Sequence, residues 1–157
     1  MTVDISDEDL LGRYPGYAID HDTKARYRGW LQHVMLIDRC GACETWHEPP
    51  GPICPVCWST DIVPTSIAGT GTIHLAIALR QGPPVEGVDY STPYPVVVVE
   101  LDEQPGLRMS STVIGADAAD VAIGRRVTLD WILRRGAPIP VFRLEGLRPD
   151  EQPEASS

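Results

Sequence analysis

The sequence predicts a mainly β protein: an N-terminal helix and a small cysteine-bound unit, followed by a five-stranded barrel. Three observations lead there. All four cysteines fall in two matched pairs, Cys40-Gly41-Ala42-Cys43 and Cys54-Pro55-Val56-Cys57. A helical stripe of large apolar residues precedes them. From residue 62 onward the composition turns to β-branched, alternating segments separated by Gly, Pro and Asp. A length of 157 residues allows one compact domain or two small units sharing a core.

Residues 1–21 are expected to form a flexible segment, acidic at first and then interrupted by Gly12, Pro15 and Gly16. The acidic start differs from the basic and then apolar start of a secretory signal. No run approaches the roughly 20 apolar residues of a membrane span, so the expected setting is a reducing cytoplasm. From Asp22 or Thr23, both suited to N-capping, the chain to residue 33 reads as a helix. It carries Tyr27, Trp30, Leu31 and Val34 at i, i+3, i+4 and i+7. That stripe suits packing on its own domain and docking on a partner equally, since large aromatics anchor interfaces. A short strand over 34–38 leads into the first cysteine pair.

A C-x2-C turn presents two sulfurs from one tight knuckle, so two knuckles give four thiolates for a tetrahedral zinc ion at about 2.3 Å. Cys40, Cys43, Cys54 and Cys57 would complete that shell with no open position, which makes the site structural. Structural zinc contributes on the order of 10–16 kcal/mol in small peptides and can replace a missing local core. Two short disulfides or a redox dithiol are the rival readings, and neither needs duplicated knuckles. Glycine often follows the second cysteine of a knuckle to free the backbone, whereas Glu44 and Trp58 stand there in this chain. Helix plus ribbon is expected to occupy residues 22–64.

The barrel is expected over 65–148, with a disordered acidic tail over 149–157. Strand-like segments run over 62–68, 72–79, 94–101, 107–114, 126–133 and 140–144. Gly69-Thr70-Gly71 reads as a bulge that bends one long first strand around a barrel corner. A phosphate-cradling loop is its rival, but no lysine or helix start follows. Residues 117–123 allow a short helical turn before the fourth strand. Five strands with a bent first strand fit an OB-like Greek-key barrel, and Val96, Val97, Val98 and Val99 read as its most buried strand. The long loop over 80–93 lies where OB folds hold ligands; Glu86, Asp89 and Tyr90 are its candidate contacts, against the reading of a solvated flap.

Net charge is −9, distributed unevenly. Residues 1–65 carry ten acidic and five basic side chains, residues 66–148 nine and eight, and the tail three and none. A general nucleic-acid binder needs a basic face and stacking aromatics. Here the middle is nearly neutral, and Tyr90, Tyr94, Trp131 and Phe142 must partly serve the core. Arg125, Arg126, Arg134 and Arg135 form either a local basic patch for a phosphorylated ligand or ordinary solvated strand ends. His21, His33, His47 and His74 show no metal spacing, and the chain has no spare cysteine, G-x-S-x-G elbow or glycine-rich nucleotide fingerprint. His47 and Glu48, between the knuckles, are best placed for acid–base work but have no paired nucleophile. The chain reads as a non-catalytic module.

The order of features carries a resemblance. An aromatic helix is followed by Leu36-Ile37-Asp38-Arg39-Cys40-Gly41-Ala42-Cys43, Glu48-Pro49-Pro50, Cys54-Pro55-Val56-Cys57, Gly69-Thr70-Gly71-Thr72-Ile73, Pro93-Tyr94-Pro95-Val96-Val97, Ile123-Gly124-Arg125-Arg126-Val127 and Val141-Phe142. Over residues 22–144 this resembles the family called domain of unknown function 35, which pairs a rubredoxin-like zinc ribbon with an OB fold. Two positions depart from the pattern. The knuckle glycines are absent, and Gly51-Pro52 stands where a basic residue often follows the Pro-Pro pair.

The resemblance implies a partner. Similar proteins accompany thiolase-like enzymes acting on acyl-CoA thioesters, including lipid-transfer-type aldolases that shorten steroid side chains by retro-aldol cleavage. The partner supplies the catalytic groups, and the ribbon and OB subunit supports its folding or shapes the acyl-CoA channel. The expected assembly is a heterotetramer, two copies of this chain on a thiolase-like dimer. Tyr27, Trp30, Trp46 and Trp58 are the interface candidates, and Arg125 and Arg126 the candidate phosphate contacts for CoA. The alternatives are a subunit of a thiolase or acyltransferase complex, a stand-alone acyl-CoA-binding protein and, against the acidic balance, a nucleic-acid-binding zinc-ribbon protein.

Overall fold

A computed structural model describes residues 4–146; the acidic tail expected over 149–157 lies outside the described residues. Helix α1, Asp7–Arg13, is capped by Ser6, whose hydroxyl accepts from the Asp9 N–H at 3.1 Å. Acidic residues fill its first turn and Arg13 its last, as the helix dipole favours. Its one buried face carries Leu10, and Tyr14 follows one turn later, its hydroxyl donating to the Pro138 carbonyl at 3.0 Å. The expectation of a flexible segment over 1–21 is therefore corrected for its described residues, 4–21. Its acidity and glycines concealed a capped helix with two core residues spaced i, i+4.

Helix α2 spans Lys24–Leu31 after Thr23 at the cap position. The Thr23 side chain caps nothing; the Asp20 carboxylate instead accepts from the N–H groups of Asp22 and Thr23. Strands β1 (Leu36–Cys40), β2 (Trp46–His47) and β3 (Ile62–Ser66) form an antiparallel sheet in the order β2-β1-β3. Segment 62–68 was expected to start the barrel. It belongs to this ribbon sheet instead, with Leu36 opposite Ser66 and Cys40 opposite Ile62.

The second sheet contains β4 (Thr70–Leu79), β5 (Tyr94–Leu101), β6 (Arg108–Ser111), β7 (Arg126–Arg134) and β8 (Ala137–Leu144), ordered β6-β5-β4-β7-β8. It curls into an OB fold, and its free edges meet through a parallel bridge between Val113 and Phe142. Residues 117–123 form hydrogen-bonded turns rather than a helix. The four valines of β5 alternate, Val97 and Val99 buried and Val96 and Val98 half-exposed, so the strand has one core face.

The bend in β4 falls later than expected. Gly69, at φ +83°, turns the chain out of the ribbon, and the bulge lies at His74, between the Ile73–Val99 and Leu75–Val98 pairs. One inserted residue reverses the faces of a strand, which leaves Leu75 and Ile77 exposed beyond it. The glycine at 71 has a different cause. A Cβ there would lie 2.5 Å from the Glu100 carbonyl oxygen and 2.6 Å from Val99. Gly71→Ala is expected to lower stability by about 1–3 kcal/mol, read as a shift in the urea midpoint at constant slope.

Candidate metal centre and its surroundings

Both cysteine knuckles are built alike. In the first, Cys40 accepts from the Glu44 N–H at 2.9 Å and donates to the Thr45 carbonyl at 2.9 Å; in the second, Cys54 accepts from Trp58 at 3.0 Å and donates to Ser59 at 2.9 Å. Closing such a turn requires a left-handed residue after the second cysteine. Glu44 and Trp58 supply it at φ 63° and 65°, a conformation that costs an L-residue roughly 1–2 kcal/mol. The knuckle shape thus survives the loss of its glycines.

The turns bring four sulfurs within 4.8 Å of one another. Cys40 and Cys57 Sγ are 3.5 Å apart, and Cys43 and Cys54 Sγ 3.6 Å. Those separations are far too long for a disulfide, and near the edge of about 3.8 Å of a tetrahedron with 2.3 Å arms. Backbone N–H groups of Cys43 and Val56 point at Cys40 and Cys54 Sγ at 3.5 and 3.4 Å, a pattern that favours thiolates. Four clustered sulfur donors with this geometry fit structural zinc, held by Cys40, Cys43, Cys54 and Cys57. Contacts with the Thr45 hydroxyl and backbone bring the Cys43 thiol down to about 6. At Cys57 the Ser59 backbone favours the thiolate, but the Cys40 and Cys43 thiols outweigh it and push the group up to about 12.

The other sequence candidates separate. Trp30 is buried, and with Tyr27 it joins Tyr14 and Tyr17 in an edge-to-face cluster whose Tyr27–Trp30 centroids are 4.7 Å apart. Trp30 Nε1 donates to Met35 Sδ at 3.2 Å. Of the two roles open to the α2 stripe, packing on its own domain absorbs Trp30, because the unanticipated Tyr14 supplies its apolar partner. Trp46 is half-buried under Arg39, and its backbone pairs twice with the Gln104 side chain at 3.0 Å, joining ribbon to barrel. Trp58 differs. It is 77% exposed at the tip of the second knuckle, beside Val56 at 64%.

The basic patch does not assemble. Arg125 and Arg126 stand at one end of β7 and Arg134 and Arg135 at the other, about 26 Å away at ~3.3 Å per residue. Arg126 is committed to Asp102, whose carboxyl it brings down to about 2 with help from Thr70, and Arg125 reaches the Asp120 carbonyl. His47 is buried opposite Asp38, and Glu48 is paired with Arg26, so both acid–base candidates are held in packing roles. Residues Arg26 and Gln104, which seat the ribbon on the rest of the chain, gave no sequence signal. Their partners are 22 and 58 positions away.

Cys57→Ser is expected to abolish stoichiometric zinc, measured by elemental analysis, and to leave the loop over 41–61 sensitive to protease. Because the metal must displace thiol protons, zinc affinity should fall as pH drops, with proton release on loading seen in weakly buffered solution.

Residues 29–63 match the family model of the ChsH2 rubredoxin-like zinc ribbon domain, and residues 65–131 that of the ChsH2 C-terminal OB-fold domain. A solved chain of an Ltp2-ChsH2(DUF35) aldolase superposes with a TM-score of 0.72 at 36% identity, covering 82% of this chain and 98% of that one. A probable enoyl-CoA hydratase alpha subunit of Thermomonospora curvata is 35% identical over 130 residues, 82% of this chain and 39% of the relative. The 3-oxo-4,17-pregnadiene-20-carboxyl-CoA hydratase alpha subunit of Mycobacterium tuberculosis is 31% identical over 133 residues, 83% of this chain and 38% of the relative. The chain thus spans about two fifths of the length of those two relatives. With both units matched in order, and with nearly the whole of a solved relative covered, the chain belongs to the DUF35 family of ChsH2-type proteins, a rubredoxin-like zinc ribbon joined to a C-terminal OB fold.

Proposed function

We propose that this chain is the non-catalytic subunit of a thiolase-like acyl-CoA aldolase, stabilising its partner and shaping the partner's acyl-CoA site. Trp58 carries the reading. A large aromatic held in a left-handed conformation that glycine would adopt without strain, and left 77% exposed, contributes nothing to the chain's own core. With Val56 and Ile53 it forms an apolar tip on a metal-stapled, rigid unit, the composition of an interface anchor. The likeness to a chain of an Ltp2-ChsH2(DUF35) aldolase supports a partner of this kind, and the relative named for a pregnadiene-carboxyl-CoA supports a steroid side chain as the acyl group. Two copies on a partner dimer is the stoichiometry we favour. The hydratase of the longer relatives' names is not carried over, since this chain matches only part of each.

Trp58→Gly separates docking from folding. It should leave the isolated chain as stable as the parent or up to ~1 kcal/mol more so, while weakening association with a co-expressed thiolase-like partner at least about tenfold. Retro-aldol turnover of an acyl-CoA substrate should require both chains. A partner that is soluble and active alone, or undiminished association of the Trp58→Gly chain, would count against the assignment.

A further inference from the structure

A cavity of about 560 Å³ opens between α2, the loop between the knuckles and the β5, β6 and β8 strands. Its charged lining is Arg26, Arg108, Arg134 and Glu48, an excess of positive charge in a chain whose net charge is −9. Two of these arginines are already matched: Arg26 by Glu48 and Arg108 by Glu100. Arg134 is not. It forms no ion pair among the described residues, and its Nε is buried without an acceptor, as is the Nε of Arg26. A second cavity of about 350 Å³ shares Tyr17, Arg134 and Ile139 with the first and adds Arg13 and Arg135 against Glu86. Arg134 therefore stands at the junction of two arginine-lined clefts.

A guanidinium left unpaired at a cavity wall selects an anionic oxygen acceptor, because the fork matches a carboxylate or phosphate and the desolvation cost is otherwise unmet. The remaining lining chooses between them. Trp30, Met35, Met109, Ile139 and Val141 present apolar surface to the larger cavity, and Glu48 opposes a second negative charge there. We propose that this cavity binds an amphipathic monocarboxylate, its head on Arg134 and its apolar body along Trp30, Met109 and Ile139. The site lies within the chain itself, so it stands or falls independently of the aldolase assembly.

The test is a fluorescence titration of the full-length, zinc-loaded chain with 1-pyrenebutyrate and with 1-pyrenebutanol, which has the same ring and no charge. The acid should bind saturably and at least about tenfold more tightly than the alcohol, the difference expected of one charge-assisted contact. Arg134→Gln should erase that difference, and Arg80→Gln, on an exposed loop, should preserve it. Decanoate should displace the probe and inorganic phosphate should not. Equal affinity for acid and alcohol, an absent saturable signal, an unaltered Arg134→Gln profile or displacement by phosphate would each overturn the proposal. The acid–alcohol comparison on the parent chain remains decisive if the variant fails to fold.

Discussion

From residue 41 to residue 61, His47 and Cys54 are the only buried residues. A segment of that length with so little apolar burial has no core with which to offset the entropy of ordering its backbone. Four converging sulfurs supply the constraint in its place. The register of β1 with β2 and β3 ends at the first knuckle, and the loop carrying Glu48 to Arg26 begins just beyond it. The ribbon's position on the barrel therefore also depends on the quartet being closed.

Ribbon and barrel are then held to one another by contacts of a different kind. Met35 and Ile37 of the ribbon sit in the same buried cluster as Ile73, Val99 and Phe142 of the barrel. The N-terminal helix straps across this junction, with Tyr14 bonded to β8 and edge-on to Trp30 of α2. Burial raises the Tyr14 hydroxyl to about 12, so it stays a neutral hydrogen-bond donor throughout the physiological range. A metal-stapled tip on a firmly seated base can hold an exposed aromatic in one place. Such pre-organisation lowers the entropy lost on docking.

Local patterns carried most of the fold in the sequence. The C-x2-C spacing, the aromatic helix and the alternating strands all depend on neighbours within a few residues, and each stands close to where its pattern placed it. What escaped depended on distant contacts. Acidity and glycine made residues 1–21 look loose because the partner of Tyr14 lies 124 positions away. Gly69-Thr70-Gly71 suggested one bent strand, whereas Gly69 separates two sheets and the bulge sits at His74, a residue with no turn chemistry to announce it. In the candidate site, the thiol ligands were legible from spacing alone. Whether a tryptophan faces solvent or core was not, because Trp30 and Trp58 differ only in what the rest of the chain brings beside them.

The same logic separates the arginines. Arg126 looked like a ligand contact in sequence, yet β4 and β5 place Thr72 and Asp102 beside it, and a carboxylate so close removes its capacity to recruit another anion. Arg134 lies eight residues along the same strand, beyond Leu129, whose N–H donates to the Gly69 carbonyl just before β4 begins at Thr70. With β4 gone from its flank, no acidic strand neighbour reaches it, and its guanidinium is left to the cleft between α2 and the barrel. The start of β4, set by the turn at Gly69, thus decides which basic residue of β7 is structural and which is available to a ligand.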